Sequence, residues 1–328
     1  MDATESSADN GHSPGRAVVL GGTGFVGRPV CRALAQRGFE VVAVARHNRM
    51  VPHATAIVPM DLARADQAEI ATMLREHDAA LVVNAAGGMW GLSDDEMVFA
   101  NTTLTEHVIG AVAALPHRPR LVHIGTVHEY GMVPIGASMD EETEPKPVTL
   151  YGQLKLRCTE AVLAATEAGE VDGVVLRVGN VTGTGQPAVS LLGIVAERLA
   201  EAHRERRTAV LDLAPLGAKR DFLNLGDAVS AITAAATTPA LRTPLMNIGT
   251  GHATSARDMV QALIEVSGVP TELNEAAATA EETTWQQMRV ERAMKHLAWA
   301  PSPSLTDGLR ELWAHVNDDA TLMPRSLV

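Results

Sequence analysis

A chain of 328 residues can bury a sizeable core, and its 46% apolar and 20% charged residues are ordinary for a globular enzyme. The net charge of -12 argues against a nucleic-acid partner, which needs a basic stripe, but leaves room for a basic pocket that takes a phosphorylated small molecule. No apolar run reaches the roughly 18 residues of a membrane span.

Residues 1–15 are polar and lack the basic and apolar regions of a signal peptide, so a disordered tail on a cytoplasmic protein is expected. From residue 16 to 178, short apolar runs alternate with amphipathic stretches. Strands are expected at 17–20, 40–44, 80–84, 120–124 and 173–176, with helices at 26–37, 65–77, 94–114 and 150–167. Continuous apolar strands separated by helices predict a parallel sheet covered on both faces, the doubly wound α/β (Rossmann) fold. Beyond 178 the rhythm loosens into a smaller C-terminal lobe, 179–328, that crosses back to the sheet. Strands are expected there at 222–225 and 245–248, and helices at 227–237, 255–266, 290–297 and 305–316. Residues 274–284 read as an acidic surface loop, and Arg204 to Arg207 as a solvated helix end. Cys31 and Cys158 fall in helix-like patterns and are expected to be isolated core thiols in a reducing compartment. The 12 histidines lack ligand spacing, so no metal site is expected.

At the first strand-to-helix turn stands Gly21-Gly22-Thr23-Gly24-Phe25-Val26-Gly27. In such loops the first glycine makes the tight turn, the second lets backbone approach a pyrophosphate, and the third lets helix and strand pack closely. The helix N-terminus then offers unpaired N–H groups to phosphate. At the end of the second strand, where a carboxylate would hold the ribose hydroxyls of NAD, the chain reads Val44-Ala45-Arg46-His47. An arginine there suits a 2′-phosphate, so NADP(H) is favoured over NAD(H).

Tyr151 and Lys155 lie at i and i+4, on one helix face. A tyrosine is a poor proton shuttle at neutral pH, and a neighbouring ammonium favours its phenolate. Thr126 lies 25 residues upstream (151 − 126) at a strand end, in Gly125-Thr126-Val127-His128-Glu129-Tyr130-Gly131. With these motifs the sequence resembles the extended short-chain dehydrogenase/reductases, the nucleotide-sugar epimerase, dehydratase and reductase group. The resemblance implies that Thr126, Tyr151 and Lys155 form the catalytic trio, with Asn101 orienting a water relay behind Lys155. It places Gly21, Thr23, Gly24, Phe25, Val26, Gly27, Arg46, Asp61, Leu62, Asn84, Ala85, Ala86 and Lys155 against the cofactor. Val127, His128, Asn180 and Arg220 are implied substrate contacts, Arg220 through an Arg220-Asp221-Phe222 element that meets a nucleotide diphosphate. Asn247-Ile248-Gly249 and Trp299-Ala300-Pro301 match C-terminal signatures of the group.

Three departures stand out. Gly125 replaces a common serine, Val290 an aspartate, and the second diphosphate arginine is absent unless Arg289 substitutes. His128 and Glu129 are expected either to face the substrate or to be loop residues, and His123 to be a satisfied core histidine. No acidic residue directly follows Thr126, which disfavours dehydration. The resemblance therefore implies an NADPH-dependent 4-ketoreductase of a dTDP-linked 4-keto-6-deoxyhexose, in deoxysugar biosynthesis and acting as a homodimer. An NAD-dependent 4-epimerase and a non-catalytic dinucleotide sensor are the alternatives.

Overall fold

The computed structural model describes residues 14–277, 284–302 and 304–322. Runs rich in Val and Ala, buried on both faces, give β1 (Arg16–Leu20), β2 (Glu40–Ala45), β4 (Ala79–Asn84), β5 (Arg120–Thr126) and β6 (Asp172–Val178), with the part-exposed β3 (Ala56–Pro59) between β2 and β4 in the chain. The C-terminal half adds β7 (Asn180–Thr182), β8 (Ala209–Leu213), β9 (Lys219–Asn224), β10 (Leu245–Ile248), β11 (Ala253–Ser255) and β12 (Thr271–Glu275). The helices are α1 (Gly27–Gln36), α2 (Gln67–Glu76), α3 (Asp94–Val98), α4 (Leu104–Ala113), α5 (Leu150–Glu167), α6 (Leu191–Glu205), α7 (Leu225–Thr237), α8 (Ala256–Ser267), α9 (Glu291–Leu297) and α10 (Thr306–Leu322).

Seven strands form one parallel sheet in the order β10-β6-β5-β4-β1-β2-β3. This is the doubly wound Rossmann architecture expected from the alternating pattern. Strand order reverses at β1, which pairs with both β2 and β4, and a crevice at such a switch point is where ligands bind. Two apolar clusters cover the sheet, one on each face. A third cluster unites α6, α8, α10, β8 and β12. The parallel β8–β12 pair and the β11-β9-β7 sheet complete that side of the molecule.

Several elements differ from expectation. Residues 94–114 are not one helix: a π-helical turn, Phe99–Thr103, separates α3 from α4. Asn101 explains the break, because its side-chain amide takes the Met97 carbonyl at 2.8 Å and the Gly88 carbonyl at 2.9 Å. The short strands β3, β7, β8, β11 and β12 and the body of α6 ahead of its basic end are additions to the expected elements. Strand β3 is a four-residue edge ending in Pro59, too brief to show a period. Helix α6 ends at Arg206 in the left-handed region, with Arg207 paired to Glu205 and Glu201, the solvated end expected there. Of the acidic stretch at 274–284, Asn274 and Glu275 belong to β12, and 278–283 lie outside the described residues, as do residues 1–13 of the expected tail. Cys31 and Cys158 are buried and unpaired. No described helix is long and apolar enough to cross a membrane, and no metal-ligand cluster occurs among the described residues.

Candidate active site

The glycine loop leaves the C-terminal end of β1 at the switch point. Gly21 takes φ +76°, a left-handed conformation that L side chains rarely adopt, and a Cβ there would meet the Ala85 carbonyl oxygen at 2.8 Å. A Cβ on Gly27 would stand 2.2 Å from the Gly21 carbonyl oxygen, so only glycine lets α1 begin so close to the loop. The N-terminus of α1 has no side-chain cap and no acidic residue in its first turn. The Arg28 and Val30 N–H groups donate to the Gly24 and Val26 carbonyls and Pro29 has none, so it is the close backbone approach at the glycines ahead of α1 that fits a dinucleotide pyrophosphate.

From this loop a cleft of ≈ 840 Å³ runs across the sheet edge, lined by Gly21, Thr23, Gly24, Arg46, Asp61, Leu62, Ala85 and Ala86. Eight expected cofactor contacts therefore meet in one groove. Phe25, Val26 and Gly27 do not line it: the first two are half-buried against the core and Gly27 is buried. A second, polar recess of ≈ 430 Å³ joins it beside Thr23 and is lined by Arg28, Arg46, His47 and Arg49. Arg28 and Arg49 were not singled out in the sequence. Arg46 forms no ion pair among the described residues.

The three residues expected to form the catalytic trio gather at the ends of β5 and α5. Thr126 is the last residue of β5 and caps a short 3₁₀ turn, Val127–Glu129, its hydroxyl accepting the His128 N–H at 3.4 Å. Tyr151 sits in the first turn of α5, capped by the Thr149 hydroxyl on the Gly152 N–H at 3.1 Å. A Cβ on Gly152 would lie 2.6 Å from the His128 carbonyl oxygen, so this glycine allows α5 to rest on the turn that carries Thr126. The His128 ring stands edge-on to Tyr151, centroids 6.1 Å apart. Burial, ahead of the Glu129 carboxylate and Cys158, holds the Tyr151 phenol well above its ordinary pKa. Burial lowers Lys155 against the opposing pull of Cys158 and Glu129. The neighbouring ammonium therefore does not by itself bring the tyrosine toward neutrality: the chain alone keeps Tyr151 a proton donor.

Two expectations need correction, those for Asn84 and Val127. The Asn101 side chain is engaged in the fold itself, within a π-helical turn that packs on α5. Its amide is spent on Met97 and Gly88, and it braces the Gly87–Gly88 backbone beyond β4. His123 also meets Lys155, its Nε2 3.3 Å from Lys155 Nζ, while Asn84 meets its Nδ1 at 3.3 Å. Asn84 is accordingly buried beneath the cleft and reaches it only through the Ala86 N–H, which its Oδ1 accepts at 3.3 Å. Val127, expected against the substrate, is fully buried and its side chain joins the core with Tyr130 and Met139.

Glu129 is neither a substrate contact nor a loop residue. Its side chain is fully buried and accepts the Thr126 N–H at 2.8 Å and Arg177 Nε at 2.7 Å. Arg177 also lies over the Tyr130 ring, 4.5 Å from its centroid, and the Tyr130 hydroxyl donates to Asn247 Oδ1 at 2.8 Å. Gly125 finds its reason here: a Cβ would stand 2.6 Å from Glu129 Oε1, so the absent serine makes room for a carboxylate.

On the facing lobe, Arg220 is half-buried, forms no ion pair among the described residues, and acts electrostatically on His128. Its neighbour Asp221 accepts from Thr250 N at 2.6 Å, Thr250 Oγ1 at 2.8 Å, Gly251 N at 3.0 Å and Met288 N at 3.2 Å, which anchors the Arg220 backbone. Asn180 donates to the Asp221 carbonyl at 3.4 Å. Arg289 is paired with Glu291 at 3.4 Å on the exposed surface.

A glycine loop at the switch point and a Thr–Tyr–Lys trio at the adjoining strand ends define a nicotinamide-dependent oxidoreductase of the extended short-chain type. The chain belongs to the NAD dependent epimerase/dehydratase family, whose profile matches residues 17–249. It is 49% identical over 304 residues to dTDP-6-deoxy-L-talose 4-dehydrogenase (NAD(P)(+)) of Kitasatospora kifunensis, covering 92% of this chain and 95% of that protein. It is 26% identical to dTDP-L-rhamnose 4-epimerase of Burkholderia thailandensis, over 90% of this chain and 93% of that one. In fold it is similar to UDP-glucose 4-epimerase of Thermotoga maritima, with a TM-score of 0.80, 20% identity, and 94% and 100% of the two chains covered.

Proposed function

We propose that this chain is an NADP(H)-dependent oxidoreductase acting at C4 of a dTDP-linked 6-deoxyhexose, and that it works as a 4-ketoreductase. The observation that carries the reading is the fate of the carboxylate nearest Thr126. Glu129 is sealed on Arg177, so the turn offers no free acid for elimination, and Tyr151 is left as the proton donor. A sugar 4-dehydrogenase and a sugar 4-ketoreductase are named for the two directions of one hydride transfer, so the Kitasatospora relative supports the same chemistry. Burial of Tyr151 favours its protonated form, which suits the reductive direction.

The cleft residues Gly21, Thr23, Gly24, Asp61, Leu62, Ala85 and Ala86 would hold the dinucleotide. Bound there, it supplies or accepts the hydride. Tyr151 would protonate the sugar oxygen, Thr126 would hydrogen-bond that oxygen as negative charge develops, and Lys155 would hold the ribose. Residues 179–328 would carry the sugar nucleotide, with Arg220 on its diphosphate, Asn180 and His128 lining its path, and Val127 contributing backbone alone. The family resemblance adds a homodimer through α4 and α5, and a groove of small residues, Gly110, Ala161, Ala164 and Ala168, lies between those helices.

The test is to mix the protein, NADPH and dTDP-4-keto-6-deoxyglucose and follow nicotinamide absorbance, with oxidation of the cofactor as the expected result. Sugar interconversion without cofactor oxidation would establish the 4-epimerase reading instead, which the Burkholderia relative favours. For the cofactor, Arg46→Ser should raise the KM for NADPH roughly ten- to hundredfold, the worth of one charge-assisted contact, and leave that for NADH nearly unchanged. Equal losses for the two cofactors would remove the 2′-phosphate from the polar recess.

A further inference from the structure

Lys155 lies 4% exposed with no carboxylate within ion-pair distance among the described residues. A buried ammonium carries three donors and needs acceptors. The side-chain partner the fold supplies is the ring of His123, itself 0% exposed, which in turn meets Asn84, 2% exposed. These three residues come from β5, β4 and α5, and the parallel register sets Asn84 directly opposite His123. The alignment is thus built into the sheet.

Proton counting along this chain constrains it. A neutral imidazole offers one donor and one acceptor. If Lys155 is an ammonium it donates to Nε2, so the ring proton must sit on Nδ1 and Asn84 must present its oxygen there. If Asn84 keeps its oxygen on the Ala86 N–H, its amide nitrogen donates to Nδ1 instead. The proton then lies on Nε2, and Lys155 must receive it as an uncharged amine. Lysine charge, histidine tautomer and asparagine orientation therefore change together, and the last of these touches the backbone of the cofactor cleft at Ala86.

We propose that His123 is a positioning residue: it holds Lys155 behind Tyr151 and, by the tautomer it adopts against Asn84, governs whether Lys155 carries its proton. The inference rests on the reading of Tyr151 and Lys155 as the reacting pair. The charged and titratable groups facing Lys155 are His123 from β5, Glu129 from the 3₁₀ turn, and Tyr151 and Cys158 from α5; Lys155 is the one that faces His123. The ring itself stays neutral, because burial and Lys155 both oppose its protonation.

Two measurements test this. In the full chain labelled with ¹⁵N-histidine, the His123 ring should be neutral at pH 7, and Lys155→Met should move its Nε2 resonance more than its Nδ1 resonance. An imidazolium, or a ring indifferent to Lys155→Met, would overturn the proposal. In turnover, His123→Phe should lower kcat about ten- to hundredfold, the loss of one charge-assisted hydrogen bond, with the sugar KM nearly unchanged. Removing the acceptor destabilises the ammonium, so the alkaline limb of the rate profile should move to lower pH by about one unit. His123→Gln, which restores an acceptor, should recover most of both. A lower melting temperature with an unmoved pH profile would make His123 merely structural and sink the idea. Should the wild-type chain fail to reduce the 4-keto sugar, the functional reading falls while the ring-nitrogen measurement still decides this one.

Discussion

Tyr151→Phe should lower kcat about 10²–10⁴-fold, the usual worth of a positioned general acid, while the dissociation constant for NADPH stays within about threefold. The substitution deletes a single oxygen from a half-buried ring and leaves the packing of α5 on the 3₁₀ turn in place, because Gly152 makes that contact. Cofactor affinity should survive because the residues lining the cleft lie elsewhere. Single-turnover kinetics with the sugar, alongside fluorescence titration of NADPH, separates the two effects. A variant that keeps more than a tenth of wild-type kcat would show that protonation of the sugar oxygen does not depend on Tyr151. A non-catalytic dinucleotide sensor would be indifferent to the change in its binding and its output alike.

The second large effect falls on stability. Glu129→Ala should destabilise the fold by about 3–5 kcal/mol, because it strands the Arg177 guanidinium without its charge partner in a place only 4% exposed. It also strips the Thr126 N–H of its acceptor, so residual activity should fall by more than the loss of folded protein explains. Urea unfolding of Glu129→Ala, of Arg177→Met, and of the pair Glu129→Leu with Arg177→Met gives the contrast. The double variant should recover much of the loss, since apolar residues of similar volume often replace a buried pair without penalty. If Glu129→Ala costs less than about 1 kcal/mol, which is typical of exposed pairs, the turn is held by something other than this ion pair.

What could be read from the sequence was what is local in it. The glycine loop, the Tyr151–Lys155 spacing and the strand ending at Thr126 each state their geometry within a few residues, and each lies at the expected strand or helix end. The supporting residues are different in kind. His123 meets Asn84, and Gly125 lies opposite Arg177, through the pairing register of neighbouring parallel strands, so no interval along the chain announces those contacts. A histidine in an apolar strand read as core, and core it is, yet its partner is Lys155, the lysine of the Tyr151–Lys155 pair. Gly125 looked like a missing hydroxyl and is instead the clearance for Glu129. Asn101 interrupts the helix expected at 94–114, because a side chain that can take the Met97 carbonyl turns a helix into a π turn, a competition invisible to apolar periodicity. Helix α6 was legible after all: Ser190 caps it through the Gly193 N–H, and its buried Leu192, Val195, Ala196 and Leu199 follow helical spacing.

The return of β10 to the main sheet bears on how the protein is made. Strand β6 ends at Val178, but its outer neighbour is not synthesised until Leu245–Ile248, after α6, β8, β9 and α7. At ordinary ribosomal rates of about 5–20 residues per second, β6 presents an open, apolar edge for several seconds. Tyr130 likewise waits for Asn247 to satisfy its hydroxyl. The nascent nucleotide-binding half is therefore vulnerable to edge-to-edge association until nearly three quarters of the chain has emerged, and a fragment ending at Val178 would keep that edge permanently.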